Sequence, residues 1–139
     1  MNELYRLIYF KELGDERGNL IAIEGNRDIP FEIKRIFYMY GTDSTMVRGQ
    51  HANRNSQFVL VNVSGSSTIY ISDGLGNEAE VILDKPRMGL FIPRMIWKEM
   101  KDFSSDSVIL CLTDTYYDDN EYIRNYDDYI QEMKDQNQT

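Results

Sequence analysis

The chain has 139 residues, 42% of them hydrophobic and 12% aromatic, and a formal net charge of −8. That composition excludes a disordered chain, and the length fits one domain with its own core. The acidic balance argues against a grip on the nucleic-acid backbone, which needs a basic face, and no apolar run approaches the roughly 18 residues of a membrane span.

The acidity is concentrated at the C-terminal end, where residues 114–139 hold 8 acids against 2 bases. The single cysteine, Cys111, cannot form an internal disulfide. No signal-peptide pattern opens the chain, so a cytoplasmic protein without nucleic-acid or membrane partners is expected.

Nine short apolar runs follow one another: LYRLIYF (4–10), NLIAIE (19–24), IKRIFYMY (33–40), QFVLVNV (57–63), STIYIS (67–72), AEVIL (79–83), GLFI (89–92), WKEM (97–100) and SVILCL (107–112). Most are rich in the β-branched and aromatic residues that pack well on a pleated surface. Turn signals separate them, among them Gly65, Ser72-Asp73-Gly74 and Pro93. Strands in succession without intervening helices predict an all-β antiparallel sandwich or barrel. QFVLVNV alternates weakly, which predicts a central strand buried on both sides.

One helix is predicted, at the C-terminus. Asp118 is placed to cap it, with Glu121 completing a capping box. Tyr122, Ile123, Tyr126, Tyr129, Ile130 and Met133 recur at helical spacing and form one apolar stripe. That stripe suits docking on the β-domain or, alternatively, binding a partner. The expected division is residues 1–116 for the β-domain and 117–139 for the helix and tail, within a single domain.

His51 is the only histidine, and histidine titrates nearest neutrality, which suits proton abstraction and return. The bland alternative is a packing or surface residue. Gly49, Arg48, Asn53 and Gln57 surround it with a permissive backbone, a cation and amides where a β-protein usually places aliphatics. One imidazole with neutral amides and an ammonium is not a ligand set for zinc, iron or manganese, so no metal is expected. Cys111 lies in an apolar strand and reads as a small hydrophobe. GxSxG is absent, and Gly74-x-Gly76 has no following helix to make a phosphate loop.

Arg17, Arg35 and Arg48 are candidate anion forks, or solvated surface residues. Strand alternation puts Arg35, Phe37 and Met39 on one face and Ile36, Tyr38 and Tyr40 on the other. Arg35 and Tyr38 therefore enter one pocket only through a bulge or a strand end. Trp97 reads as core or as the wall of a base pocket.

The segments ERGNLIAIE (16–24), IPFEIKRIFYMY (29–40), RGQHAN (48–53), FVLVNVSGSS (58–67), WKEM (97–100) and TYYDDNEYIRNYDDY (115–129) stand in an order that resembles the dTDP-4-keto-6-deoxyglucose 3,4-ketoisomerases, the WxcM-like family of small cupins. The resemblance spans nearly the whole chain. It implies a cupin, or jelly-roll, barrel similar to that of the dTDP-sugar 3,5-epimerases, and a homodimer with exchanged N-terminal strands. It implies a cofactor-free isomerase that takes a dTDP-linked 4-keto-6-deoxy sugar to its 3-keto isomer through an enediol, in deoxysugar biosynthesis for lipopolysaccharide and other glycans or for glycosylated natural products.

Position by position, His51 matches the first histidine of the family's RGxHAH segment, the proton-transfer base, and Arg48 the arginine before it. Tyr38 and Arg35 match the family's Arg-x-x-Tyr segment, and Arg17 its RGxL segment. The implied catalytic set is His51, Tyr38 and Arg48. The implied substrate-binding set is Arg17, Arg35, Asn53, Gln57, Trp97 and Lys98. Two positions depart from the pattern: Asn53 stands where the family has its second histidine, and Lys98 where a histidine often follows the tryptophan. A 3,5-epimerase and a catalytically silent sugar-nucleotide-binding cupin remain the alternatives.

Overall fold

The computed structural model describes residues 3–138. Among these residues lie twelve strands: β1 (Arg6–Tyr9), β2 (Leu13–Asp15), β3 (Gly18–Leu20), β4 (Arg35–Tyr40), β5 (Arg48–Asn53), β6 (Phe58–Ser64), β7 (Ser67–Ser72), β8 (Glu78–Leu83), β9 (Met88–Ile92), β10 (Trp97–Lys101), β11 (Val108–Thr113) and β12 (Tyr122–Ile123). A single 3-10 turn covers Asp119–Glu121, and helix α1 covers Tyr126–Gln136.

The strands form two five-stranded antiparallel sheets, in the orders β1-β9-β6-β11-β4 and β12-β5-β10-β7-β8, plus the separate hairpin β2-β3. The expected all-β jelly roll with a C-terminal helix is the fold adopted. Its two sheets face each other without closing into one hydrogen-bonded barrel among the described residues.

β6 shows how the sequence builds three apolar layers. Phe58 and Leu60 point between the sheets, where they join Ile69, Ile71, Leu90 and Ile109. Val59 and Val61 point the other way, beneath Phe10, Ile29 and Phe31. All four are at most 2% exposed, so the weakly alternating run is indeed buried on both faces. Complete burial of such side chains contributes about 1.5–3 kcal/mol each.

The third layer lies on the outer face of the second sheet. There Trp97, Ala52 and Ile123 meet Tyr129 and Met133 of α1. The apolar stripe of the helix is therefore occupied by its own domain. Tyr129 is fully buried, and its hydroxyl donates to the carbonyls of Met95 (2.6 Å) and Ser72 (3.0 Å). At Gly74, with φ 72°, an added Cβ would lie 3.0 Å from the Tyr129 ring. The glycine thus serves both the β7-β8 turn and the seating of the helix.

The helix begins later than its periodicity suggests. Asp118 caps the 3-10 turn by accepting from the Asn120 amide, and Asn125 caps α1 by accepting from the Asp128 amide. The reason is Glu121, which is 2% exposed and committed elsewhere. Its carboxylate accepts from the backbone amides of Asn55 (2.9 Å) and Ser56 (3.0 Å) and from the Ser56 hydroxyl. That commitment pulls Tyr122–Ile123 into register with Asn53 and Ala52 as an edge strand, so the segment cannot be helical. No helix among the described residues is long and apolar enough to cross a membrane.

Candidate active site

Between the two sheets lies a cavity of about 120 Å3 that opens to solvent. Its apolar wall comes from Phe37, Met39, Phe58, Leu60, Met100 and Cys111; its polar groups are Arg48, His51, Lys98 and Tyr122.

β5 reaches this cavity through a bulge. Lys98 pairs with His51 and Glu99 with Gly49, so Gln50 is the extra residue. Gly49 and Gln50 both adopt positive φ, 81° and 58°. A Cβ on Gly49 would lie 3.0 Å from the Lys98 carbonyl oxygen and 3.2 Å from the Met100 methyl, so glycine is required on both conformational and steric grounds. The bulge lets Arg48 and His51, three residues apart, line the same cavity.

Nδ1 of His51 lies 3.0 Å from the Gly49 carbonyl oxygen. A carbonyl only accepts, so Nδ1 carries the proton and Nε2 keeps its lone pair. The ring meets Tyr122 edge to face at 4.8 Å. Burial, reinforced by the positive charge of Lys98, pushes the His51 pKa down to about 4. At neutral pH the imidazole is therefore an uncharged base of fixed tautomer.

Lys98 stands directly opposite His51 on β10 and is 3% exposed. Its ammonium donates to Asn53 Oδ1 at 2.8 Å and sits 4.4 Å from the Phe58 ring centroid. Burial pushes its pKa down to about 7, opposed by the Glu121 carboxylate. Asn53 is buried, and its Nδ2 has no hydrogen-bond partner among the described residues. Cys111, the candidate thiol, is held by burial up to about 12 and remains protonated.

Arg48 lines the cavity, with its Nε 3.0 Å from the Met39 sulfur. Arg35 lies two residues from Phe37 on the cavity-facing side of β4, between the rings of Phe37 (5.4 Å) and Tyr117 (5.5 Å). Its Nε and Nη2 are buried and have no hydrogen-bond partner among the described residues. A desolvated cation with unmet donors is a binding surface for an anion.

Four candidates are placed elsewhere. Tyr38 is 62% exposed on the opposite face of β4, stacked on Tyr40, because strand alternation holds against it and no bulge intervenes. Trp97 and Glu99 point away from Lys98 and Met100. Trp97 packs on Tyr126 and Tyr129 and donates from Nε1 to Glu99 at 2.9 Å, so it belongs to the helix interface and not to a substrate wall. Gln57 is tied by its backbone amide (3.0 Å) and its Nε2 (2.9 Å) to Asp114, which also pairs with Arg94. Arg17 sits at the β2-β3 turn, paired with Asp15, with its side chain 86% exposed.

Sequence spacing does not reveal two further contributors: Tyr122, which lines the cavity, and Glu121, whose charge acts on Lys98. The helical spacing of Tyr122 concealed its place on an edge strand, and no spacing signal marks Glu121 as a buried acceptor. Among the described residues, no three of His, Cys, Asp or Glu converge to hold a metal ion.

Comparison with known proteins agrees with this geometry. A family model described as "FdtA: WxcM-like, C-terminal" matches residues 3–134. A TDP-4-oxo-6-deoxy-alpha-D-glucose-3,4-oxoisomerase from Aneurinibacillus thermoaerophilus is 44% identical over 124 residues, covering 89% of this chain and 88% of that protein. A mutant of the 3,4-ketoisomerase QdtA from Thermoanaerobacterium thermosaccharolyticum, in complex with TDP-4-keto-6-deoxyglucose, superposes with a TM-score of 0.94 at 39% identity, covering all of both chains. The dTDP-6-deoxy-D-glucose-3,5-epimerase RmlC from Legionella pneumophila shares the fold, with a TM-score of 0.73 at 18% identity over 86% of this chain and 71% of that one. With a cavity, a lone half-buried imidazole and near-complete coverage in agreement, the chain belongs to the FdtA, WxcM-like C-terminal family.

Proposed function

We propose that the protein is a sugar 3,4-ketoisomerase that converts a dTDP-4-keto-6-deoxyhexose to the 3-keto isomer by proton transfer through an enediol. The observation that carries this reading is the uncharged His51 imidazole, its tautomer fixed by Gly49, in a cavity between the sheets. The C4 carbonyl acidifies the neighbouring C3 hydrogen. Nε2 removes that proton, and the same nitrogen returns a proton to C4 on the same face of the ring. Arg48 and Lys98 supply positive charge where the oxyanion develops, and the free Nδ2 of Asn53 suits a sugar hydroxyl. Arg35 suits the diphosphate. No metal or redox cofactor takes part in the proposed steps.

A cytoplasmic homodimer completes the reading. Exposed Ile36, Tyr38 and Tyr40 on β4, and Leu13 and Leu20 on the hairpin, support a second copy as their cover. In a dimer with exchanged N-terminal strands, Arg17 serves the site of the other copy.

The test is incubation with TDP-4-keto-6-deoxyglucose in deuterated water, followed by proton NMR. A new ketone at C3 with deuterium at C4 supports the ketoisomerase. Label at C5 indicates a 3,5-epimerase, and binding without exchange or product indicates a silent sugar-nucleotide module.

A further inference from the structure

The ketoisomerase reaction moves two protons, one between carbons and one between oxygens. His51 accounts for the carbon-bound proton. For the second, the enediol needs a proton placed on O4 as the C4 carbonyl opens, and a proton removed from O3 as the C3 carbonyl forms. A group that does both must donate and then accept. Arg48 cannot accept, because guanidinium is not deprotonated in proteins. The Cys111 thiol lies in the apolar wall and holds its proton up to about 12.

Lys98 has the required position. It lies directly across the β5-β10 pair from His51, lines the same cavity and is anchored through Asn53 Oδ1. Its contacts are the neutral amide of Asn53 and the face of Phe58, and among the described residues it forms no ion pair. The charged or titratable groups around it are His51 and Arg48 from β5, Tyr122 from β12, Cys111 from β11 and, at longer range, Glu121. Its environment is therefore apolar and cationic on the cavity side, which favours release of a proton. A pKa near 7 lets one amine serve in both protonation states.

We propose that Lys98 is the second proton carrier of this site, shuttling a proton between the two sugar oxygens while His51 shuttles one between the two carbons. The assignment rests on the ketoisomerase reading. In the first half, Nε2 of His51 takes the C3 proton, the C3–C4 double bond forms, and the C4 oxygen takes a proton from the Lys98 ammonium. In the second half, the Lys98 amine takes the proton of the C3 hydroxyl, the C3 carbonyl forms, and the double-bond electrons take the proton from His51 at C4. Both residues end in their starting states, and no other reactant is needed.

The test compares Lys98→Arg and Lys98→Met with the unaltered protein in the same NMR assay. Arginine keeps the charge and cannot give up its proton, so the shuttle predicts a loss of about 10²-fold or more in kcat for both variants. In the unaltered protein kcat/KM rises through about pH 4 as His51 becomes neutral and falls tenfold per pH unit above about 7 as Lys98 loses its proton. The alkaline fall disappears in Lys98→Arg.

A Lys98→Arg protein within threefold of normal turnover would overturn the shuttle and leave only charge stabilisation. Trapping of a covalent sugar adduct on Lys98 by borohydride would overturn it in favour of an imine. A third measurement needs no variant: titration of the Lys98 Cε resonance in the unaltered protein. A midpoint near 7 that tracks the activity supports the proposal, and an ammonium persisting above pH 9 overturns it. Failure of the unaltered protein to form any 3-keto product is a different result, which removes the ketoisomerase reading itself.

Discussion

The Gly49 carbonyl accepts a hydrogen bond from Nδ1 of His51, two residues further along the same bulged strand. A backbone irregularity thus decides which nitrogen of the imidazole can act as a base. Two positive-φ residues bring that carbonyl beneath the ring, and the glycine tolerates backbone and methyl contacts that a side chain would not.

Gly49→Ala is therefore expected to damage activity more than stability. A non-glycine residue at this φ costs about 1–3 kcal/mol, readable as a lower midpoint in urea unfolding. Displacement of His51 by even 1 Å costs on the order of 10²-fold in turnover. Steady-state kinetics on the folded variant checks this, and normal turnover would detach the bulge from catalysis.

Glu121→Gln tests the buried carboxylate that holds the 3-10 turn against the β5-β6 connection. The carboxylate accepts from two amides and one hydroxyl. Glutamine offers one acceptor oxygen and turns an NH2 toward a donor. Leaving buried donors unsatisfied costs about 1–3 kcal/mol. Equilibrium urea unfolding measures the loss, and β12 amides should lose hydrogen-exchange protection first.

Trp97→Phe separates the two readings of that side chain. As part of the helix interface it contributes packing on Tyr126 and Tyr129 and one indole hydrogen bond to Glu99. The expected result is a stability loss of about 1–2 kcal/mol with KM within twofold of normal. A large rise in KM would return Trp97 to the substrate wall.

The pH dependence of stability carries a signature of His51. Its folded pKa of about 4 lies below the ordinary 6.5, so between those values the unfolded chain binds more protons than the folded one. Stability from this residue is present above pH 6.5 and is lost as pH falls toward 4, with a slope of up to about 1.4 kcal/mol per pH unit. The difference between the unaltered protein and His51→Asn isolates it from the carboxylates. Parallel curves for the two proteins would mean that the imidazole is not held neutral.

The sequence made the scaffold more legible than the site. Apolar runs such as QFVLVNV and SVILCL declare their strands because burial demands apolar side chains on at least one face. β5 declares nothing: in RGQHAN only Ala52 is aliphatic, since the cavity face carries Arg48 and His51 and the edge is covered by β12. The strand that bears the chemistry therefore reads as a loop. Gln57 looked like a ligand because it is polar in an apolar setting, yet its partner, Asp114, is distant in sequence. Tyr38 was the reverse case, since alternation already opposed its sharing a pocket with Arg35. Asp118 and Glu121 fit a capping box, and only the tertiary pull of Asn55 and Ser56 on Glu121 shows why the helix waits until Tyr126.

The most direct test of the central claim is His51→Asn in deuterated water with TDP-4-keto-6-deoxyglucose. The folded variant should still bind the nucleotide sugar while the C3 proton signal persists and no 3-keto sugar forms. Loss of that signal at the normal rate, in a variant with no imidazole anywhere in the chain, would contradict the account.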